Sequence, residues 1–131
     1  MILFLDTNIV IYSVEQNPVF GPKVVTRLAI ARAAGDSIMI SDLTRMECLV
    51  LPLRLRNVAV QQTYQGFFSL TTVVPITPAV CDRAALIRAT NRFKPMDALQ
   101  LAAAVEHGAN IFLTNDVHLN SFTGLTVEVL T

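Results

Sequence analysis

The chain has 131 residues, about one domain's length, with 53% apolar and only 15% charged side chains. That balance excludes intrinsic disorder and predicts apolar surface left over for a partner, since a domain of this size buries only about two-thirds of its unfolded surface. Ten basic and ten acidic residues cancel, so no charged tail announces a nucleic acid or a membrane.

Met1 to Leu5 is apolar but has no basic flank, and Asp6 interrupts the run far short of a signal or membrane-spanning length. Cys48 and Cys81 lie in no CxxC and near no histidine at finger spacing, which argues against a disulfide scaffold or zinc site. A cytoplasmic protein with one domain over residues 1–131 is expected.

Ile2-Leu3-Phe4-Leu5 reads as a buried strand turning, through the cap-forming residues Asp6-Thr7-Asn8, into a helix. A helix from about Pro22 to Ala34, stopped by Gly35, precedes a second buried strand over 37–40 that Ser41 closes. The helix after it, which Asp42 opens as its cap or as a further acid at the rim of the site, carries an apolar stripe of Leu43, Met46 and Val50 with Glu47 beside it, and Pro52 is expected to break or kink it. A further helix from about Val58 to Phe68 leads to a β-branched, strand-like stretch from Thr71 to Ile76. Pro78 to Asn91 and Pro95 to His107 are helical, the latter ending at Gly108. Ile111 to Thr114 and Leu125 to Val129 complete the strands. Short apolar strands alternating with helices predict an α/β/α sandwich around a mostly parallel sheet of about five strands. Ligands of such sheets gather at the carboxyl ends of the strands, where the strand order reverses.

Four of the ten carboxylates occupy unexpected places. Asp6 closes the first strand, Asp116 follows the fourth, Glu47 lies beside an apolar stripe, and Asp97 opens the alanine- and leucine-rich run Ala98 to Ala104. Singly, Asp6 and Asp116 also fit caps, Asp97 a favourable helix N-terminus, and Glu47 a head reaching to solvent. Converging, the four would repel one another and raise each other's pKa unless a hard, oxygen-seeking cation such as Mg²⁺ or Mn²⁺ were held.

Leu5-Asp6-Thr7-Asn8, Ile40-Ser41 through Glu47, Met96 through Ala104 and Leu113-Thr114-Asn115-Asp116, in this order and spacing, resemble the PIN-domain nucleases, and among them the VapC-type toxins of toxin–antitoxin pairs. The resemblance implies an α/β/α sandwich and a Mg²⁺- or Mn²⁺-dependent endoribonuclease. It also implies an acidic cluster of Asp6, Glu47, Asp97 and Asp116, with Thr7 or Asn8 and Thr114 or Asn115 as polar support. One departure stands out: where family members often carry another acid after Asp116, this chain has Val117-His118-Leu119.

A carboxylate-held cation activates water, so no side-chain nucleophile is required. Accordingly, no serine lies in a GxSxG-like context, and the five glycines form neither GxxxxGK nor GxGxxG. Setting the four acids aside leaves six acidic against ten basic residues, a surplus of four positive charges suited to RNA. Arg45, Arg92 and Lys94 are the foremost candidates for RNA backbone contacts, with Arg54, Arg56 and Arg88 behind them; His118 reads as a turn residue. A receiver-type signalling domain would need paired acids after the first strand and a lysine after a late one, and a DxD phosphatase an acid at Asn8; the sequence has none of these. Two readings stay open beside the toxin: a PIN fold that only binds RNA or protein, and a PIN nuclease without an antitoxin. The crowding of Leu49, Val50, Leu51, Leu53 and Leu55, with Phe67 and Phe68, predicts a homodimer that also binds an apolar segment of an antitoxin.

Overall fold

A computed structural model describes residues 1–131. Strands β1 (Ile2–Leu5), β2 (Ser37–Ser41), β3 (Thr72–Val74), β4 (Ile111–Thr114) and β5 (Thr126–Val129) form one sheet in the order β3-β2-β1-β4-β5. Every neighbouring pair is parallel. The strands are short and rich in β-branched or aromatic residues, and the connections between them are mostly helical, which is what parallel pairing demands.

Side chains alternate across the sheet and so divide the core in two. On one face, Leu3 and Leu5 of β1 and Ile38 and Ile40 of β2 pack with α1 (Thr7–Val14), α2 (Gly21–Ala33), α3 (Asp42–Arg54) and α4 (Val58–Ser69). On the other, Phe4 stacks on Phe112 at 5.4 Å beneath α5 (Pro78–Thr90) and α6 (Pro95–Glu106). The molecule is thus an α/β/α sandwich. Residues 101 to 104 of α6 are buried one after another, because alanine lets the helix lie against the sheet and α5 together. Gly35 and Gly108, both at φ +79°, end α2 and α6 in the left-handed conformation that glycine adopts without strain.

α3 departs from its sequence pattern. Its inward face is Thr44, Cys48 and Pro52, at a spacing of four, whereas Met46 and Val50 of the expected stripe are exposed. A small hydroxyl and a thiol pass for neutral positions in a hydropathy pattern, yet here they pack on the sheet. Pro52 does not end the helix, which runs on to Arg54; the proline is buried, and its carbonyl receives the backbone N–H of Asn57. Ser41, not Asp42, is the N-cap, its hydroxyl accepting from the Leu43 N–H. Phe68 is buried and Phe67 half-buried, so this pair belongs to the core and not to the free surface. Both cysteines are free, and no helix is long and apolar enough to cross a membrane.

Candidate active site

The chain builds β2 and β3 on one side of β1, then crosses to build β4 and β5 on the other. The gap between β1 and β4 is therefore the switch point, and a cleft opens at the carboxyl ends of these two strands. Asp6 directly follows β1, and Asp116 comes two residues after the end of β4. Glu47 reaches in from the second turn of α3, and Asp97 from the first turn of α6. All four line a cavity of about 230 Å³ together with Thr7, Asn8, Gln100, Ile11 and Met96.

Asp6 is fixed by both its backbone and its carboxylate. Its N–H donates to the Leu113 carbonyl at 2.9 Å, extending the β1–β4 ladder by one rung. Oδ1 receives the Thr7 N–H at 2.8 Å and Oδ2 the Thr114 hydroxyl at 2.7 Å. Burial nevertheless pushes its pKa up to about 6; these hydrogen bonds pull the other way, and the charges of Asp97 and Glu47 reinforce the rise. Asp97 is also raised, by burial first and then by Asp116, with Lys94 opposing and Glu47 adding to the rise. The carboxylates thus pay a desolvation and repulsion cost that nearby positive charge would relieve.

Thr114 links two of the acids, since Oγ1 donates to Asp6 and accepts the Asp116 N–H at 3.1 Å. Asp116 caps a short 3-10 turn over Val117–Ser121, its Oδ1 accepting the His118 N–H at 2.9 Å. Capping and siting are compatible here: Asp6 and Asp116 each do both. The His118 ring meets the Arg92 carbonyl through Nε2 at 3.1 Å and sits edge-on to Phe93, tying this turn to the loop before α6.

Glu47 is anchored by Thr7, whose hydroxyl donates to Oε1 at 2.7 Å. Behind Thr7 lies a buried polar chain that the sequence pattern does not announce: Gln100, Thr44 and Ser41. The one available signal is that Gln100 is the lone polar interruption in the apolar run from Ala98 to Ala104. Of the other sequence candidates, Asn8 lines the cavity, whereas Asn115 turns its amide to the Tyr12 hydroxyl at 2.7 Å and leaves Oδ1 buried without a partner. Arg45 lies against α4, donating to Gln65 and resting over the Phe68 ring, away from the cleft. Lys94 is the residue just before α6 and close enough to act on Asp97 electrostatically.

The donor set is all oxygen, which suits Mg²⁺ or Mn²⁺ and not a thiolate- or imidazole-seeking metal. No three of the side chains form a ready-made cation cage. The cavity has room for roughly seven waters at about 30 Å³ each, and a Mg²⁺-sized ion keeps several waters and takes only one or two carboxylates directly. An open acidic cleft with room for water therefore fits such an ion.

Residues 3–125 match the family model described as PIN domain, a span that contains all four acids. The chain belongs to the PIN domain family. Three solved structures are similar to this PIN domain over nearly the whole of both chains. They are VapBC2 of Rickettsia felis bound to a DNA fragment from its promoter (TM-score 0.85, 19% identity, 100% of each chain), a toxin–antitoxin complex from Klebsiella pneumoniae (0.79, 22%, 98% of each), and DNA-bound VapBC from Salmonella typhimurium (0.74, 21%, 100% of this chain and 99% of that one). At these identities the likeness is one of fold. No curated protein sequence matches the chain.

Proposed function

We propose that this PIN domain is a divalent-cation-dependent endoribonuclease, acting in the cytoplasm as the toxin of a toxin–antitoxin pair. One observation carries the catalytic reading: four carboxylates, two from strand ends and two from helices, line one cleft at the β1/β4 switch point, and Asp6 among them is raised to about 6. Such an arrangement is costly for folding alone and useful for holding a cation.

A bound Mg²⁺ or Mn²⁺ supplies a lowered water pKa and neutralises charge on a phosphodiester. Asp6, Glu47, Asp97 and Asp116 hold that charge in place. Thr7 and Thr114 fix the carboxylates of Glu47 and Asp6 through their hydroxyls, while Asn8 and Asn115 flank them in sequence. Lys94 and Arg92, on the loop before α6, meet the RNA phosphates; Arg45, held on α4, reaches only a strand that passes over that helix. Ile11 and Met96 give the cavity its apolar wall.

Support for an antitoxin comes from the similar structures, which are VapBC or toxin–antitoxin complexes, and from exposed apolar side chains on this chain. Val50, Leu51, Leu53, Leu55 and Val58 stand exposed around the end of α3 and the start of α4, while Leu49 is half-buried. A homodimer contact and an antitoxin segment are the proposed covers for this surface.

The deciding experiment incubates the purified protein with structured RNA in Mg²⁺ or Mn²⁺, and again in EDTA. Cleavage with either cation and none in EDTA is expected; undiminished cutting in EDTA overturns the reading.

A further inference from the structure

We infer that Gln100 is a positioning residue which, through the Thr7 hydroxyl, holds the Glu47 carboxylate ready for a divalent cation. The inference rests on the reading of Glu47 as a cation ligand, and it follows from counting protons along a chain of buried groups.

Gln100 is 2% exposed, and Ser41 and Thr44 are fully buried beside it. Its Oε1 lies 2.6 Å from Ser41 Oγ, and its Nε2 lies 2.8 Å from Thr44 Oγ1 and 3.1 Å from Thr7 Oγ1. Thr7 Oγ1 has three polar neighbours: Gln100, Thr44 at 3.3 Å and Glu47 Oε1 at 2.7 Å. A hydroxyl has one proton to give. The bond to Glu47 uses that proton, with Oε1 accepting it.

Thr7 must therefore receive from Gln100, and the amide must present its NH₂ to the two threonines. The other end of the amide agrees with this orientation. Ser41 Oγ already accepts the Leu43 N–H, which leaves its own proton for Gln100 Oε1. If the amide were turned over, its oxygen would compete with Glu47 for the Thr7 proton, and Ser41 would face an NH₂. The chain thus has one direction, from Ser41 through Gln100 and Thr7 to Glu47. An apolar side chain at 100 would fill the space in α6 but release the Thr7 hydroxyl to turn.

Electron paramagnetic resonance of free Mn²⁺ during titration of the full chain measures cation affinity without cleavage. Gln100→Met, close in volume, is expected to weaken Mn²⁺ binding about tenfold, the low end for loss of a group that orients a metal ligand. Thr7→Val is expected to weaken it comparably, and Thr7→Ser to retain it. In the Thr7→Val background, Gln100→Met is expected to cost nothing more, because the hydroxyl through which it acts is already gone. A purely structural glutamine would cost the same in both backgrounds, and that result overturns the inference. Should Gln100→Met fail to fold, Ser41→Ala probes the same chain from its far end: a fall in Mn²⁺ affinity of twofold or more is expected, and unchanged affinity overturns it. A wild-type chain that binds no Mn²⁺ removes the cation reading and this inference together. Wild-type binding that Gln100→Met leaves intact removes this inference alone.

Discussion

The hydroxyl of Thr114, the last residue of β4, donates a 2.7 Å hydrogen bond to Oδ2 of Asp6, the residue that follows β1. This bond spans the switch point of the sheet and opposes the rise in the Asp6 pKa that burial imposes. It joins the ladder that aligns the two strands to the protonation state of an acid in the cleft.

Removing the bond makes that coupling measurable. Thr114→Val keeps the shape but takes away the donor to Asp6 and the acceptor for the Asp116 N–H. The Asp6 midpoint is expected to move further above its value of about 6, and stability to fall by about 1 to 2 kcal/mol. Thermal melts in EDTA across a pH series read both quantities.

Asp6 itself sets a pH dependence. Its carboxyl titrates at about 6 in the folded chain against 3.8 for the ordinary side chain, so between these values the folded state holds a proton that the unfolded state has released. Without divalent cations, stability contributed by this group falls as pH rises from about 4 to about 6 and stays low above. Asp6→Asn should flatten that slope and gain between about 1 and 3 kcal/mol at pH 7, discounted for the hydrogen bond to Thr114 that an amide makes less well. Mn²⁺ should raise the melting temperature of the wild type at pH 7 but not that of Asp6→Asn.

Cleavage should follow the opposite order to stability. Asp6→Asn and Asp97→Asn are each expected to abolish RNA cutting while leaving the circular dichroism spectrum unchanged, and Glu47→Gln to weaken it. Lower melting temperatures with retained activity would make these acids structural caps.

Lys94 precedes α6 and offers its charge near Asp97. If it meets an RNA phosphate, Lys94→Gln should weaken binding of an uncleavable RNA and make the plot of log affinity against log salt shallower by about 0.7. Arg45→Gln should change the slope less, since that guanidinium is occupied by Gln65 and the Phe68 ring. Equal slopes for both variants and the wild type would place the RNA elsewhere.

The exposed leucines test the partner. Leu53 is 57% and Leu55 66% exposed, so Leu53→Lys and Leu55→Lys should each shift stability by no more than about 0.5 kcal/mol. Both should reduce dimer formation in light scattering and recovery of a small protein co-expressed from the same operon. A large loss of stability instead would mark these side chains as core.

The elements and their order were legible in the sequence because hydrophobic periodicity, prolines at helix starts and glycines at helix ends are local signals. The four acids stood out for the same local reason, each placed at a strand end or against an apolar run. The sequence could not reveal which face of α3 points inward, because Thr44 and Cys48 pass for neutral positions until the sheet beneath them is known. It could not tell that Phe68 fills the core while Leu53 and Leu55 stay outside, nor that Arg45 is drawn onto α4. Gln100 shows the difference most plainly. One polar residue in an alanine-rich helix has no meaning along the chain; only the tertiary structure sets it against Ser41 from β2, Thr44 from α3 and Thr7 from α1, where burial obliges each polar group to find a partner and so gives the chain from Ser41 through Gln100 and Thr7 its direction.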